Sequence, residues 1–169
     1  QLGASFAVGV LEAFIVMSLT GFLRLYGAPL FFAVPAAMIA SGAVPLYRYL
    51  KRATRHLRYA RKKAAPAPLW HVGLVIFGVL GMLMIYMLIL TPANVQFDSR
   101  WKHFAVAEDY GVYGGIHKFP EGWTLGTDPQ LPILLYTWAF QVPGRLFVRV
   151  ELAAHLEFFL FVIATLTIP

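Results

Sequence analysis

Asp98, Arg100, Lys102 and Glu108 are the side chains whose types and spacing could do chemistry together, and all four fall in the polar segment 91–130. A carboxylate such as Asp98 can accept a proton from an incoming hydroxyl, while a guanidinium or ammonium a few positions on engages a phosphate. A plainer arrangement uses the same residues. Residues 95–111 can form a helix with Asp98 at its N-cap, where a side-chain oxygen satisfies the free amides of the first turn. Trp101, Phe104, Ala105 and Glu108 then share one side. Such a helix is expected to lie flat on a membrane, with Trp101 and Phe104 dipping into lipid and Arg100 and Lys102 on headgroups. The pattern leaves both roles open, with Asp98 the catalytic candidate and Arg100, Lys102 and Glu108 the substrate-binding ones.

Other polar residues stand out against apolar surroundings. Glu12 lies near the middle of an apolar run, where a carboxylate costs a contested ~2.5 kcal/mol or more, so it is expected to face other helices or be protonated. It reads either as a proton or ion site or as a carboxyl hydrogen-bonded to a neighbouring helix. The second is favoured because no other intramembrane acid accompanies it. Glu151, His155 and Glu157 fall at i, i+4 and i+6, but Glu157 turns away from the other two, and a cytoplasmic helix entrance explains them more simply than a metal site. His71, beside Trp70 at the start of an apolar run, reads as an aromatic-belt neighbour rather than a porphyrin ligand. With no cysteine there is no thiolate site and no disulfide.

The elements that must position these residues are membrane helices. Hydrophobic residues make up 59% of the chain and charged ones 13%, with a mean hydropathy of +0.67. That is an integral membrane protein rather than a soluble domain. A span needs about 20 mostly apolar residues to cross ~30 Å of hydrocarbon. The runs 1–25, 30–46, 69–90, 131–142 and 150–169 predict an all-α polytopic protein with about five transmembrane helices, and an external loop, 91–130, that carries a surface helix. Gly27, Ala28 and Pro29 form a tight connection, with Pro at a first helical turn, and Pro35 and Pro45 are expected to kink the second helix. The run 131–142 is short and reaches useful length only if 144–148 joins it. A re-entrant hairpin is the alternative. Residues 120–129, rich in turn formers, are expected to be an ordered loop anchored by Trp123.

Charge sets the topology. Of the fourteen Lys and Arg, eight lie between Arg48 and Lys63, where Leu50, Ala53, Leu57 and Ala60 share a helical stripe. This predicts a short basic amphipathic helix on the cytoplasmic leaflet, and no nucleic-acid partner. The organisation is then two N-terminal transmembrane helices in 1–47, a basic cytoplasmic segment with a stiff Ala-Pro linker in 48–68, and a membrane region in 69–169. The positive-inside rule puts the N-terminus in the cytoplasm, the Gly27 turn outside, loop 91–130 periplasmic or lumenal, and Arg145 and Arg149 at a second cytoplasmic turn. A bacterial inner membrane is the expected location. The sequence starts at Gln1 rather than Met and stops at Pro169 directly after an apolar run. A fragment of a longer polypeptide is therefore one expectation, and residues 2–26 are expected to be a spanning helix rather than a cleaved signal.

The run Phe97-Asp98-Ser99-Arg100-Trp101, followed by Ala107-Glu108-Asp109-Tyr110 and Gly114-Gly115-Ile116, resembles the first external loop of the multi-spanning glycosyltransferases that use polyprenyl-phosphate sugars. These include the protein mannosyltransferases and the aminoarabinose transferases of lipid A. Leu135 to Phe140 resembles the span that follows in that family, and the likeness covers residues 69–169. It implies that Asp98 is the loop carboxylate proposed as general base, that a surface helix and a Gly-rich turn follow it, and that the partners are the bilayer and a polyprenyl-phosphate-linked sugar. Ser99 stands where the family has a second acid, so a divalent metal cofactor has no clear ligand set here. The alternative function is a non-catalytic transmembrane subunit that packs in or assembles a larger membrane complex.

Overall fold

A computed structural model describes residues 2–63, 68–91, 103–119 and 130–167. Asp98, Arg100, Trp101, Lys102, the Ala-Pro linker up to residue 67 and the loop 120–129 lie outside the described residues. Among those described there are helices and no strand: α1 (Leu2–Phe22), α2 (Ala28–Lys63), α3 (Leu69–Ile89), α4 (Ala105–Tyr113), α5 (Gln130–Phe140) and α6 (Leu146–Thr167). Three stretches are long and apolar enough to cross a membrane, Gly3–Phe22, Ala28–His56 and Leu69–Ile89. No residue of α3 is buried. Most of its apolar side chains are exposed, a surface that only lipid or another apolar partner solvates, while Tyr86 and Ile89 near its end pack against the rest of the protein.

The chain divides into two compact units, one made of Gln1–Val34 with Tyr86–Pro169, the other of Pro35–Ile85. In the second, α2 runs unbroken from the apolar stretch into the basic one, with Pro35 and Pro45 inside it. The basic stretch was expected to be a separate short helix, and it is instead the continuation of the span. From Leu46 to Lys63 the chain holds neither Gly nor Pro, and its Arg, Lys, Leu and Ala residues favour the helix.

In the first unit α5 is the centre, packed against α1, α4 and α6. Ile133 to Thr137 are all buried, and so are Ala139 to Gln141, the mark of a helix enclosed on every side. Its polar groups are satisfied within the protein. Thr137 Oγ1 donates to the Ile133 carbonyl at 2.9 Å, Trp138 Nε1 to that of Phe31 at 3.0 Å, and Gln141 Nε2 to that of Thr137 at 3.3 Å. With 11 residues, α5 is about 16 Å long, half of a hydrocarbon core. It does not absorb 144–148, because the helix stops at Phe140 and Gly144, at φ 133°, leads the chain into α6.

Three turns converge in one layer. Tyr26 N–H donates to the Gly114 carbonyl at 3.0 Å and Ile116 N–H to that of Gly21 at 3.0 Å, which ties the α1–α2 turn to the turn after α4. Gln141 Oε1 accepts from Gly27 N–H at 3.0 Å, which brings in the α5–α6 turn, and Arg149 Nε donates to the Val142 carbonyl at 3.1 Å. At the far end a Cβ on Gly3 would stand 3.0 Å from the Thr167 carbonyl, so α1 and α6 run antiparallel. The Arg145 and Arg149 turn was expected on the side opposite loop 91–130. It lies in the same layer as Gly114, and a short, enclosed α5 is the reason.

Two predictions follow from this layer. In this cysteine-free chain, Leu25→Cys, Tyr113→Cys and Pro143→Cys, made singly, are expected to react with a membrane-impermeant maleimide from one and the same side. Labelling of position 143 from the side opposite 113 would contradict the layer. A Cβ on Gly115 would meet the Gly21 carbonyl oxygen at 2.6 Å and Arg24 Cα at 3.0 Å, whereas one on Gly9 meets nothing within 4 Å. Gly115→Ala should therefore cost about 1–3 kcal/mol in the purified protein, and Gly9→Ala about nothing or a small gain, as read by thermal unfolding.

Candidate functional site on the α4 layer

The site is built on α4. A wide π-type turn at His103 and Phe104 leads into it, and it buries Val106, Ala107 and Tyr110. Phe104 was expected in lipid, but it is 1% exposed. Its ring stands edge-on to Tyr136 at 5.1 Å and to Phe140 at 6.2 Å. Phe104, Ala107 and Gly111 recur at helical spacing, and Gly111 lies against Phe140, so this stripe faces α5 rather than the bilayer. Glu108 is half-buried on the same helix. His103 Nδ1 is buried, with no hydrogen-bond partner among the described residues.

Gly114, at φ 76°, ends α4 in the left-handed conformation, and its N–H returns to the Tyr110 carbonyl, as does that of Gly115 at 3.0 Å. This αL cap suits glycine because it has no Cβ. The reversal carries His117 back over the helix. Its Nε2 stands 2.9 Å from Asp109 Oδ2, and its ring lies 4.1 Å from Tyr113 and 5.1 Å from Phe119. Sequence spacing did not single out Asp109 and His117. The signal was the Gly114-Gly115 pair, which folds two residues on either side of it together.

Tyr26 and Tyr110 are buried phenols beneath this surface. Tyr26 donates to the Met17 carbonyl at 2.7 Å, passing close over Gly21, where any side chain would collide with it. Burial pushes the Tyr26 hydroxyl above its ordinary value, with a smaller contribution from Tyr110. Burial likewise raises Tyr110, with Asp109 adding to it. Both remain neutral donors in ordinary conditions.

On α6, His155 Nδ1 lies 2.7 Å from the Glu151 carbonyl and its ring is edge-on to Tyr86 at 5.3 Å. Among the described residues no group of His and carboxylates could hold a metal. The arrangement on α4 can present polar side chains from a helix fixed against α5 and the α1–α2 turn. Of the four candidates it places Glu108 directly, while Asp98, Arg100 and Lys102 lie in the stretch that leads into His103. No protein-family model matches the chain, and neither a curated protein nor a solved structure does.

The buried phenol makes stability depend on pH with a definite sign. The ordinary tyrosine value is 10.0, and the folded value lies above it. Below about pH 10 both states hold the proton and stability is flat; above it the unfolded state loses the proton first and stability falls. Tyr26→Phe is expected to lower stability by about 1 kcal/mol at neutral pH, through the lost hydrogen bond. It should also flatten the alkaline decline in part, with Tyr110 among the groups that keep the rest. Thermal unfolding in detergent between about pH 8 and pH 11 reads both effects.

Proposed function

We propose that this chain is the N-terminal portion of a membrane glycosyltransferase that moves a sugar from a polyprenyl-phosphate donor to an acceptor hydroxyl at the external face of a bacterial inner membrane. One observation carries the reading: α4 is a fixed platform, buried against α5 and stitched to the α1–α2 turn. Asp98 stands five positions before His103, so its backbone stays within about 18 Å of that platform. Asp98 takes the proton of the acceptor hydroxyl. The acceptor oxygen bonds to the anomeric carbon from the face opposite the donor, the carbon–oxygen bond to phosphate breaks, and polyprenyl phosphate leaves with the electron pair. The anomeric centre is inverted.

In this reading α1, α2, α3 and α6 cross the membrane, α5 enters and returns, and the basic end of α2 is cytoplasmic. Arg24, Arg145 and Arg149 then belong to the external layer, where the positive-inside rule disfavours them. A donor phosphate gives them, with Arg100 and Lys102, an anion to hold. In this reading His103, whose Nδ1 has no partner among the described residues, and half-buried Glu108 serve the sugar or acceptor hydroxyls. No step is assigned to a metal.

The test is Asp98→Asn in the full-length protein. Asn has nearly the shape of Asp but lacks the basic oxygen, so transfer should fall by roughly 10²-fold or more with little loss of folded protein. Asp98→Ala should lose activity to the same extent and leave α4 in place, since its N-cap is Phe104 rather than the expected Asp98. An Asp98→Asn protein that transfers sugar at the wild-type rate removes Asp98 from catalysis and leaves a non-catalytic assembly subunit as the better reading.

A further inference from the structure

Glu12 sits at the centre of α1, ten residues from Leu2 and ten from Phe22, so about 15 Å of helix lies on either side of it. A glutamate side chain cannot reach an interface over that distance. It was expected to face other helices or be protonated; it is exposed, while Ala13 and Met17 supply the side of α1 that the fold buries. The exposed face is otherwise apolar, with Val8, Leu11, Val16 and Leu19 all between 41% and 58% accessible.

The same face has the shape for close helix approach. Ser5, Gly9, Glu12 and Val16 follow one another at helical spacing; Ser5 is exposed, and a Cβ on Gly9 would have nothing within 4 Å. Small residues four apart let a second backbone come close in a bilayer. The charge selects what that backbone must bear. Ionisable residues inside membranes pair with one another, and a carboxylate takes a cation. The spans of this chain do not supply one: α1 and α3 contain no Lys or Arg, α2 has none before Arg48, and α6 has none after Arg149. A second copy would set Glu12 against Glu12. His155, near the middle of α6, is already engaged by the Glu151 carbonyl and Tyr86.

We propose that the Ser5, Gly9, Glu12, Val16 face of α1 docks an unlike transmembrane helix that carries a lysine or arginine at mid-depth, paired with Glu12. The interface is independent of the transferase reading. The test uses a photo-reactive amino acid at Val16 in native membranes, followed by mass spectrometry of the linked peptide. The expected product is a transmembrane peptide with Lys or Arg in its central third. Its yield should fall about tenfold in Glu12→Gln and also in Gly9→Ile, which keeps the charge but blocks approach. In parallel, dicyclohexylcarbodiimide, which attacks protonated carboxyls in apolar surroundings, should leave Glu12 untouched in those membranes and modify it in the purified chain. Equal modification in both preparations overturns the proposal, because Glu12 is then a neutral lipid-facing acid. Protection that persists in the purified chain, links only between two copies, or a captured helix without a central cation overturns it as well.

Discussion

Two backbone hydrogen bonds, Tyr26 N–H to the Gly114 carbonyl and Ile116 N–H to that of Gly21, hold together the layer of turns in the first unit. They join turns nearly ninety positions apart. They form only because the chain is bare where the turns meet. Gly115 lies against the Gly21 carbonyl, and Gly21 lies beneath the Tyr26 ring and Ile116. Once the turns are joined, Tyr26 can reach the Met17 carbonyl and Gly27 can meet Gln141. A surface helix of nine residues is too short to persist alone in water. Here it is held at one end by the glycine contact and along its length by α5.

The enclosure of α5 answers a different constraint. In apolar surroundings every backbone and side-chain polar group must find a partner inside the protein. A helix end leaves its last carbonyls without partners inside the helix. At the end of α5, Gln141 N–H returns to the Trp138 carbonyl and Val142 N–H to that of Ala139. Arg149 then reaches back to the Val142 carbonyl. The arginine that looked like a topology signal is thus also part of the cap that lets α5 end where it does.

Composition and run length were enough to read helices in a membrane and to place α1 and α3 within a few residues, because a span is a property of local hydropathy. The αL end of α4 was legible in Gly114-Gly115. The burial of Phe104 was not, because amphipathy cannot tell lipid from the apolar side of another helix. Nor did charge counting locate Arg145 and Arg149, since the positive-inside rule assumes that every apolar run crosses, and α5 is half the needed length. The continuity of α2 through its basic half was missed because a change in polarity was taken for a change in structure. Of the four candidate residues only Glu108 falls among those described, and the Asp109–His117 pair emerged only from the fold.

Arg24 shows what the layer of turns costs the backbone. It adopts φ 55° at the end of α1, where Leu25 N–H closes back on the Thr20 carbonyl at 2.9 Å, the geometry of a helix terminus that usually uses glycine. An L-residue in that conformation costs about 1 kcal/mol, and among the described residues its guanidinium makes no hydrogen bond or ion pair that would offset it. The turn needs the conformation, because without it Tyr26 would not fold back over Gly21. The Arg24 stem lies against Gly115, where an added Cβ would stand 3.0 Å from Arg24 Cγ, so the residue packs within the turn it closes. The strain at Arg24 is a cost of that turn, offset by the contact that Tyr26 makes with Met17 once it lies over Gly21.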